Sequence, residues 1–389
     1  MEAQSQISTK HQYGGTYRAV SPDETLRRLQ PLKASIGITR VARIGGLDNL
    51  GIPTSVCVRP NARHLSTSQG KGETPELADI SAIMETVEGF HAENVPDPGE
   101  FVPWKRVAAG GQHLDPRLLS PGPRWRAWSE DTPFRWVKGF SLVDGRPMHL
   151  PFIAVTLDGT QAHPEFGMVT ASSNGLASGN TFAEAACHAL YELIERDADY
   201  MWERQPAQWR MSRLLDLHSV QIPGIAEMIE RIRAANVEPL AWEITGQTGV
   251  PTFRCVLASR DAKRPLGRFH GSGAHLSAEI ALSRAITEAA QARLTWIHGT
   301  REDVFPSLYD DLQQAALAPL DLPKPARKFD ASASPFFGAT FEEDLAWLID
   351  RLAKLGRDKV FLYDHTRHDM AIPVVSVFVP GLMFSGNRF

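Results

Sequence analysis

The sequence predicts an α+β protein in which antiparallel sheets pack against long helices, with internal pseudo-repeats. At four places an aliphatic residue and a proline open a β-branched run, and proline is tolerated at the first residue of a strand. Glycine-containing segments follow three of these runs, and each segment leads into a long amphipathic stretch. The four joints are Ile52-Pro53, Leu150-Pro151, Val250-Pro251 and Ile372-Pro373.

The predicted strands are the runs that follow the prolines. Their sequences are TSVCV (54–58), FIAVTL (152–157), TFRCVL (252–257) and VVSVFV (374–379). We interpret the glycine-containing segments as loops because glycine permits turns and close approach of the backbone. These predicted loops are SQGKG (68–72), SSNGLASGN (172–180) and HGSGAH (270–275).

Four long helices are predicted from apolar residues at helical spacing. The first spans 78–93, and the second begins after Asn180, where Thr181 and Glu184 fit a capping box. The third spans about 277–297, whereas the fourth, 342–355, precedes the last strand run instead of following one. The predicted buried residues of the first helix are Ile80, Ile83, Met84, Val87 and Phe90, and those of the third are Ile280, Ile286, Ala289 and Leu294.

Two segments fall outside this pattern. Residues 1–20 are predicted to form a flexible N-terminal arm, and residues 21–389 a single domain. Residues 94–135 form a Pro- and Trp-rich insertion within that domain. Its tryptophans, Trp104, Trp125 and Trp128, either hold a loop to the surface or contact a peptide.

Composition excludes several classes of protein. The chain has 389 residues, 43% of them hydrophobic and 22% charged, which is typical of a globular protein. No run approaches a membrane span, and a net charge of −4 argues against a nucleic-acid binder. The N-terminus lacks the pattern of a secretory signal, and Cys57, Cys187 and Cys255 are too few and scattered for a disulfide framework. We therefore expect a cytoplasmic protein with buried thiols.

Three of the predicted helices carry acidic residues in rows. In the second helix Glu184, Glu192 and Glu195 share a face with His188 and have no lysine among them. A solvated face remains one interpretation, but such a face usually intersperses basic residues. A bound Mg²⁺ would remove the mutual repulsion, since this ion prefers oxygen ligands. The other two rows are Ser81, Glu85 and Glu88, and Arg284, Glu288 and Gln291.

The glycine segments add to the magnesium interpretation. The segment from Ser68 to Gly72, which includes Lys71, resembles a phosphate cradle in composition but does not match the P-loop pattern. The other two segments do not match a dinucleotide-binding fingerprint. Three glycine segments that precede three acidic helices together indicate binding of Mg²⁺-ATP.

Several of these segments together resemble the YcaO superfamily, in an order that covers Leu47 to Leu382. The resemblance implies the YcaO-like fold and an enzyme that uses Mg²⁺-ATP to activate a backbone amide of a ribosomally made peptide or protein. Products in this superfamily include azolines, macrocyclic amidines and thioamides. The matching segments are LDNLGIPTSVCVRPN, STSQGKG, SAIMETVE, SSNGLASGNTFAEAACHALYELIERDA, GSGAHLSAEIALSRAITEAAQARL and VPGL.

The resemblance also implies site residues. Arg196 and Arg284 are expected to stabilise charge on the transferred phosphoryl group, whereas no general base can be named among His188, His270 and His275. Gly89 stands where the superfamily usually has an arginine, so Arg284 or Lys71 is expected to replace that phosphate contact. The expected metal ligands are Glu85, Glu88, Glu184, Glu192, Glu195 and Glu288, and the expected nucleotide-binding residues are Ser68, Lys71, Ser81, Asn180, Glu184, Arg196 and Gln291.

Within the superfamily, the phrases SSNGLASGNT and METVEGFHAE resemble the branch that works with a TfuA partner and makes thioamides. The chain ends at SGNRF without the proline-rich tail of many azoline-forming relatives, which agrees with this branch. The resemblance implies a sulfur donor and a homodimer as well. An azoline-forming cyclodehydratase is the alternative, and an inactive peptide-binding scaffold is a third interpretation, although it would be expected to lose carboxylates.

Overall fold

The computed structural model describes residues 7–160, 165–260, 266–305, 307–309 and 323–384. Residues 1–6 of the predicted arm and the terminal SGNRF lie outside the described residues. None of the helices in the described ranges is both long and apolar enough to serve as a transmembrane span. The predicted α+β class is confirmed, with antiparallel pairing in each of the larger sheets.

The helices begin and end close to the predicted positions. The first long helix starts three residues earlier than predicted because Thr74 caps it and Pro75 occupies its first turn. Thr181 and Ser277 cap the other two acidic helices through their side chains. The helices are α1 (Pro22–Leu29), α2 (Leu32–Ile36), α3 (Pro75–Glu93), α4 (Trp104–Ala108), α5 (Phe152–Val155), α6 (Phe182–Glu203), α7 (Ala207–Met211), α8 (Pro223–Ala234), α9 (Ala278–His298) and α10 (Phe341–Lys354).

The strands confirm three of the four proline-led runs. They are β1 (His11–Gln12), β2 (Tyr17–Arg18), β3 (Arg40–Arg43), β4 (Thr54–Val58), β5 (Thr67–Lys71), β6 (Phe101–Pro103), β7 (Pro133–Ser141), β8 (Pro147–Pro151), β9 (Leu176–Ser178), β10 (Leu215–Asp216), β11 (Val237–Glu243), β12 (Thr252–Ser259), β13 (Arg268–Ala274), β14 (Arg327–Lys328), β15 (Phe361–Asp364) and β16 (Val374–Phe378). The prediction for 152–157 is wrong because Phe152–Val155 forms the buried turn α5. A short, fully apolar run does not distinguish a strand from a buried helix.

The glycine segments were predicted as loops, but two of them are strands. SQGKG lies mostly in β5 and HGSGAH mostly in β13. A Cβ at Gly70 would lie 2.1 Å from the carbonyl oxygen of Ala78, and one at Gly273 would lie 2.2 Å from that of Ala281. Glycine is therefore required because the helix backbone lies directly on the strand, and no turn is involved.

The pseudo-repeat takes the form of three equivalent units, each made of three antiparallel strands and one long helix. In the third unit the three strands are part of a six-stranded sheet. The units are β3-β4-β5 with α3, β11-β12-β13 with α9, and β15-β16-β9 with α6. In each unit, the carbonyl of the proline before the middle strand accepts a hydrogen bond from the backbone N–H of the residue two positions before the helix N-cap. The distance is 3.4 Å at Pro53 and 3.1 Å at both Pro251 and Pro373. The third unit is permuted, since its edge strand and helix precede its other strands in the chain. Leu150-Pro151 does not begin a fourth unit.

Each helix also contacts the edge strand of another unit. Glu88 of α3 bonds Ser178 of β9, Asp199 of α6 bonds Ser272 of β13, and Gln291 of α9 bonds Gln69 of β5. The three units therefore contact one another in a closed ring. Most of the core lies between these helices and their sheets, and α10 packs on α6 beside β16.

The two segments outside the pattern contact the rest of the protein. In the predicted arm, the backbone N–H of Ser8 donates to Glu342 at 3.0 Å, and Lys10 forms an ion pair with Asp344 at 2.7 Å. The 94–135 insertion contains β6, α4 and short 3-10 turns. Trp104 is buried there, while Trp125 and Trp128 stack with ring centroids 5.6 Å apart.

Candidate active site

The repeated units explain why the acidic residues meet. Eleven residues after the N-cap, each helix carries a glutamate: Glu85 in α3, Glu192 in α6 and Glu288 in α9. Three residues further on stand Glu88, Glu195 and Gln291 in the same three helices. Because each helix reaches the next unit of the ring, the equivalent positions converge on one site. The acidic rows of α3, α6 and α9 are therefore one motif that is repeated three times.

Arg196 and Lys71 bind the acidic residues at one side of this site. Arg196 lies 3.0 Å from Glu195 and 3.3 Å from Glu192, measured between guanidinium nitrogen and carboxylate oxygen. Nζ of Lys71 lies 2.5 Å from Glu288 Oε2, and Arg196 approaches the other oxygen of Glu288 at 3.9 Å. Burial alone would raise the pKa of Glu288, but Lys71 and Arg196 hold it well below its ordinary value.

The α3 side of the site has less compensating charge. Burial raises the pKa of Glu88 to about 8, although Ser178 donates to it from both its backbone N–H and its hydroxyl, at 2.8 and 2.7 Å. Glu85 keeps contact with solvent, yet desolvation by the surrounding protein raises its pKa to about 7. Burial also raises the pKa of Glu192 and Glu195. A bound cation would favour the deprotonated form of these carboxyl groups, so its binding would displace their protons.

Glu184 and Asn180 belong to a separate group at the N-terminus of α6. Glu184 is 1% exposed and accepts hydrogen bonds from the backbone of Ala19 at 3.1 Å and from Asn180 at 3.4 Å. Arg18 lies 3.7 Å from Glu184 and 2.5 Å from Nε2 of His188, to which it donates. The structure therefore places Glu184 beside Arg18 and His188, and its role as a metal ligand stays a prediction.

Arg18 and Arg284 form a positive region next to the glutamates. Burial lowers the pKa of Arg18, Glu184 opposes that effect, and the charge of Arg284 lowers the pKa further. The Nε atom of Arg284 is buried without a hydrogen-bond partner. Two guanidinium groups that repel each other, one with an unsatisfied donor, are suited to an anion such as a phosphate.

Arg18 is a residue that the sequence reasoning missed. It lies in the segment predicted as a flexible arm, where short irregular strands give no periodic signal. Its position depends on the contacts of residues 8–19 with α10 and α6, which no local pattern encodes.

The two serines of the predicted nucleotide site are less closely connected to it. Within the described part of the chain, neither Ser68 nor Ser81 makes a side-chain hydrogen bond, so their roles stay predictions. Ser68 shares the β5 face of Gly70, which packs on α3, whereas Lys71 and Gln69 point to the face of α9.

None of the three histidines stands out as a general base. His188 accepts from Arg18, and Nδ1 of His275 accepts from the backbone of Ser277 at 2.9 Å. Burial lowers the pKa of both, so they are neutral at physiological pH. His270 is exposed on β13. The three cysteines are buried thiols, as predicted.

The donor set fits magnesium held together with a nucleotide better than a metal held by protein alone. Among the described residues, no three histidine, cysteine, aspartate or glutamate side chains already surround a point suited to a metal ion. Mg²⁺ is commonly bound by one or two carboxylates together with phosphate oxygens. Glutamates whose pKa is raised by burial, next to the two mutually repelling arginines Arg18 and Arg284, provide for both components.

The family model described as YcaO cyclodehydratase, ATP- and Mg²⁺-binding, matches residues 69–383. This chain belongs to the YcaO family. A protein of Rhizobium leguminosarum bv. trifolii, described as an uncharacterized protein in the tfuA 3′ region, is 34% identical over 377 residues, or 94% of this chain and 88% of that protein. The YcaO family binds ATP and Mg²⁺, which confirms the predicted cofactors.

Solved structures agree in fold. The YcaO of Methanopyrus kandleri bound with AMPPCP and Mg²⁺ has a TM-score of 0.74 and 24% identity, covering 96% of this chain and 94% of that one. A heterocyclase in complex with substrate and cofactor has a TM-score of 0.78 and 21% identity, covering 98% of this chain and 54% of that one. At these identities the likeness concerns the fold.

Proposed function

We propose that this YcaO protein uses ATP to activate a backbone amide of a ribosomally made peptide or protein and converts it to a thioamide. A TfuA-like partner and a sulfur donor complete the reaction. The observation that carries the proposal is the pairing of two regions in one site: the repelling arginines Arg18 and Arg284, and the glutamates of α3 and α6. Together they suit a metal-bound triphosphate.

The chemistry explains why ATP is needed. An amide carbonyl is a weak electrophile, and its oxygen is a poor leaving group. In the proposed reaction the amide oxygen takes the γ-phosphoryl group of ATP, hydrosulfide forms the new carbon–sulfur bond, and the oxygen leaves as inorganic phosphate. The products are thioamide, ADP and hydrogen phosphate, the proton coming from hydrosulfide. No oxidant or reductant is consumed.

Named residues would hold the two components. Glu85, Glu88, Glu192, Glu195 and Glu288 would bind the metal, which supplies positive charge to the phosphates when bound. Arg18, Arg284 and Lys71 would contact the phosphate oxygens. Arg196 would stabilise the charge that develops on the transferred phosphoryl group, since it is already fixed by Glu192 and Glu195. Asn180, Glu184, Ser68, Ser81 and Gln291 stay candidates for contacts to the rest of the nucleotide.

The thioamide product is supported by the relative from a tfuA region, whose 34% identity extends over most of both chains. An azoline-forming cyclodehydratase is the second candidate, supported by the fold shared with the heterocyclase bound to its substrate. The retained carboxylates argue against an inactive scaffold.

The deciding experiment is mass measurement of the product. The protein is incubated with its peptide or protein substrate, Mg²⁺-ATP, sulfide and the TfuA-like protein. We expect sulfur-for-oxygen exchange that depends on ATP and on sulfide, and none with Glu192→Gln. Loss of water without sulfide would identify the cyclodehydratase instead. Absence of any mass change and of ATP hydrolysis with an authentic substrate would refute both.

A further inference from the structure

The guanidinium of Arg18 lies beside α6, although Arg18 itself belongs to β2 of the N-terminal segment. Its main chain is fixed on both sides. The ring of Tyr17 stacks on that of His275 with centroids 6.0 Å apart, and the backbone N–H of Ala19 donates to Glu184 at 3.1 Å. A fixed main chain does not fix the guanidinium, because an arginine side chain has many rotamers. Its orientation therefore depends on the partners of the guanidinium itself.

Those partners contact one nitrogen atom. Within the described part of the chain, Nη1 of Arg18 makes each of the hydrogen bonds and the ion pair of this side chain. It donates to Nε2 of His188 at 2.5 Å and to the carbonyl oxygen of Tyr17 at 3.4 Å, and it lies 3.7 Å from Oε1 of Glu184. Nε and Nη2 take no part in these contacts, so the same guanidinium can still donate to phosphate oxygens.

Glu184 and His188 stand one turn apart on α6, and they contribute differently. Glu184 is 1% exposed, and its two oxygens already accept from Ala19 and Asn180. Its distance from Arg18 is too long for a hydrogen bond. The hydrogen bond that fixes Nη1 against α6 is therefore the one to His188.

A histidine at this place holds the arginine differently from a carboxylate. Arginine has only donors, so Nε2 of His188 accepts and carries no proton. The imidazole thus fixes the guanidinium without adding a negative charge. A second carboxylate would balance the charge of Arg18 and compete with a phosphate for it.

We propose that His188 is a positioning residue, which holds the guanidinium of Arg18 in the orientation that receives the phosphate groups of the nucleotide. The inference rests on the proposed function, because it is there that Arg18 contacts phosphate oxygens. His188 acts through the arginine and does not itself touch the nucleotide. Its effect on affinity therefore disappears when Arg18 is removed.

The experiment measures binding of Mg²⁺ with a non-hydrolysable ATP analogue by calorimetry, together with thermal unfolding. We expect His188→Ala to weaken the affinity about tenfold, the effect of losing one charged hydrogen bond. Because His188 is only partly buried and alanine favours a helix, this variant should melt close to the wild-type temperature. His188→Gln keeps a side-chain acceptor and should lose less affinity. His218→Ala, which removes a ring nitrogen 3.5 Å from Arg233 outside the site, is the matched control and should bind normally.

A double-mutant cycle separates positioning from a direct contact. Arg18→Met should weaken the affinity more than His188→Ala does, and His188→Ala in the Arg18→Met background should cause no further loss. Should Arg18→Met abolish measurable binding, the comparison of His188→Ala with His188→Gln decides, since the loss of an acceptor predicts a weaker affinity in the alanine variant.

Unchanged affinity in His188→Ala would overturn the inference and leave the proposed function standing. Normal binding by Arg18→Met would overturn it too, as would a loss of the same size from His188→Ala in both backgrounds, because His188 would then act without the arginine. An equal loss in the Ala and Gln variants with a lower melting temperature would show a structural role instead. If the wild-type protein itself fails to bind the nucleotide, both the inference and the proposed function fall.

Discussion

Lys71 of β5 and Glu288 of α9, 217 residues apart in the chain, form an ion pair with 2.5 Å between Nζ and Oε2. The pair joins the first unit of the ring to the helix of another unit, inside the candidate active site. Glu288 is therefore paired with a lysine, whereas neither Glu85 nor Glu88 of α3 forms an ion pair within the described part of the chain.

The first prediction follows from this pair. Lys71→Met should increase the affinity for Mn²⁺ without nucleotide, because a metal would no longer compete with the ammonium group for Glu288. Titration followed by electron paramagnetic resonance measures the free ion directly. Lys10→Met, which removes a lysine paired with Asp344 away from the glutamates, is the control. Equal Mn²⁺ affinity in the Lys71→Met and wild-type proteins would show that Glu288 is not a ligand.

Glu192 provides a test of the metal site that leaves the fold intact. Its side chain is 26% exposed, so Glu192→Gln should change the free energy of unfolding by no more than about 0.5 kcal/mol. The same change should abolish binding of the Mg²⁺-ATP analogue, measured by calorimetry. Glu227→Gln, on the exposed face of α8, should bind as the wild type does. Retained binding in Glu192→Gln would remove this residue from the site.

Glu195 differs from Glu192 in its expected effect on stability. Its side chain is 3% exposed and lies 3.0 Å from Arg196, so the helix face is not solvated there. Glu195→Gln removes a charge partner of a nearly buried arginine, and we expect it to lower the free energy of unfolding by about 1 to 3 kcal/mol as well as to abolish turnover. Urea denaturation measures the first effect. A stability equal to that of Glu192→Gln would contradict the assigned burial.

The raised pKa of Glu88 predicts a pH dependence. A carboxyl group with a folded-state pKa of about 8, above its value of about 4.5 in the unfolded chain, binds more protons when the protein is folded. Its contribution to stability is therefore greatest at low pH and is lost as the pH rises through 8. Without Mg²⁺, the melting temperature should fall as the pH rises from about 4.5 to about 8, and Glu88→Gln should flatten that fall. A profile identical to wild type in Glu88→Gln would exclude the effect.

Gly273 tests the close contact between strand and helix. A Cβ there would lie 2.2 Å from the carbonyl oxygen of Ala281 and 2.7 Å from the backbone nitrogen of Ala285. Backbone atoms cannot move aside as a flexible side chain can, so Gly273→Ala should cost about 3 kcal/mol of stability or prevent folding. Gly246→Ala, with no atom within 4 Å of the new Cβ, is the control. Denaturation curves that coincide for the two variants would show that the helix does not lie on the strand.

A homodimer remains our proposal, and light scattering tests it. The 94–135 insertion exposes Leu118, whose relative exposure is 52%, and it also contains the stacked Trp125 and Trp128. Covering such apolar side chains is a common role of dimer interfaces. We expect twice the chain mass of 43.0 kDa at micromolar concentration. A mass equal to one chain would refute the dimer.

The sequence by itself determined the local features of this protein. Helical spacing of apolar residues and the capping box at Thr181 and Glu184 located the long helices, because helix formation depends on neighbours within one or two turns. Prolines located the first residue of three middle strands. The acidic rows were visible for the same reason, since residues three and four apart share a helix face.

Only the tertiary structure decided how these features combine. The sequence showed glycine segments, but whether glycine permits a turn or the packing of a helix on a strand depends on a partner that is distant along the chain, as Gly70 and Gly273 illustrate. The third unit was hidden because two of its three strands, β15 and β16, follow its helix in the chain. Arg18 lies in an irregular segment without periodicity, and it reaches Glu184 of α6 through a contact that is distant along the chain. Long-range contacts of this kind leave no local pattern, because the residues that meet are selected by the packing of the whole ring.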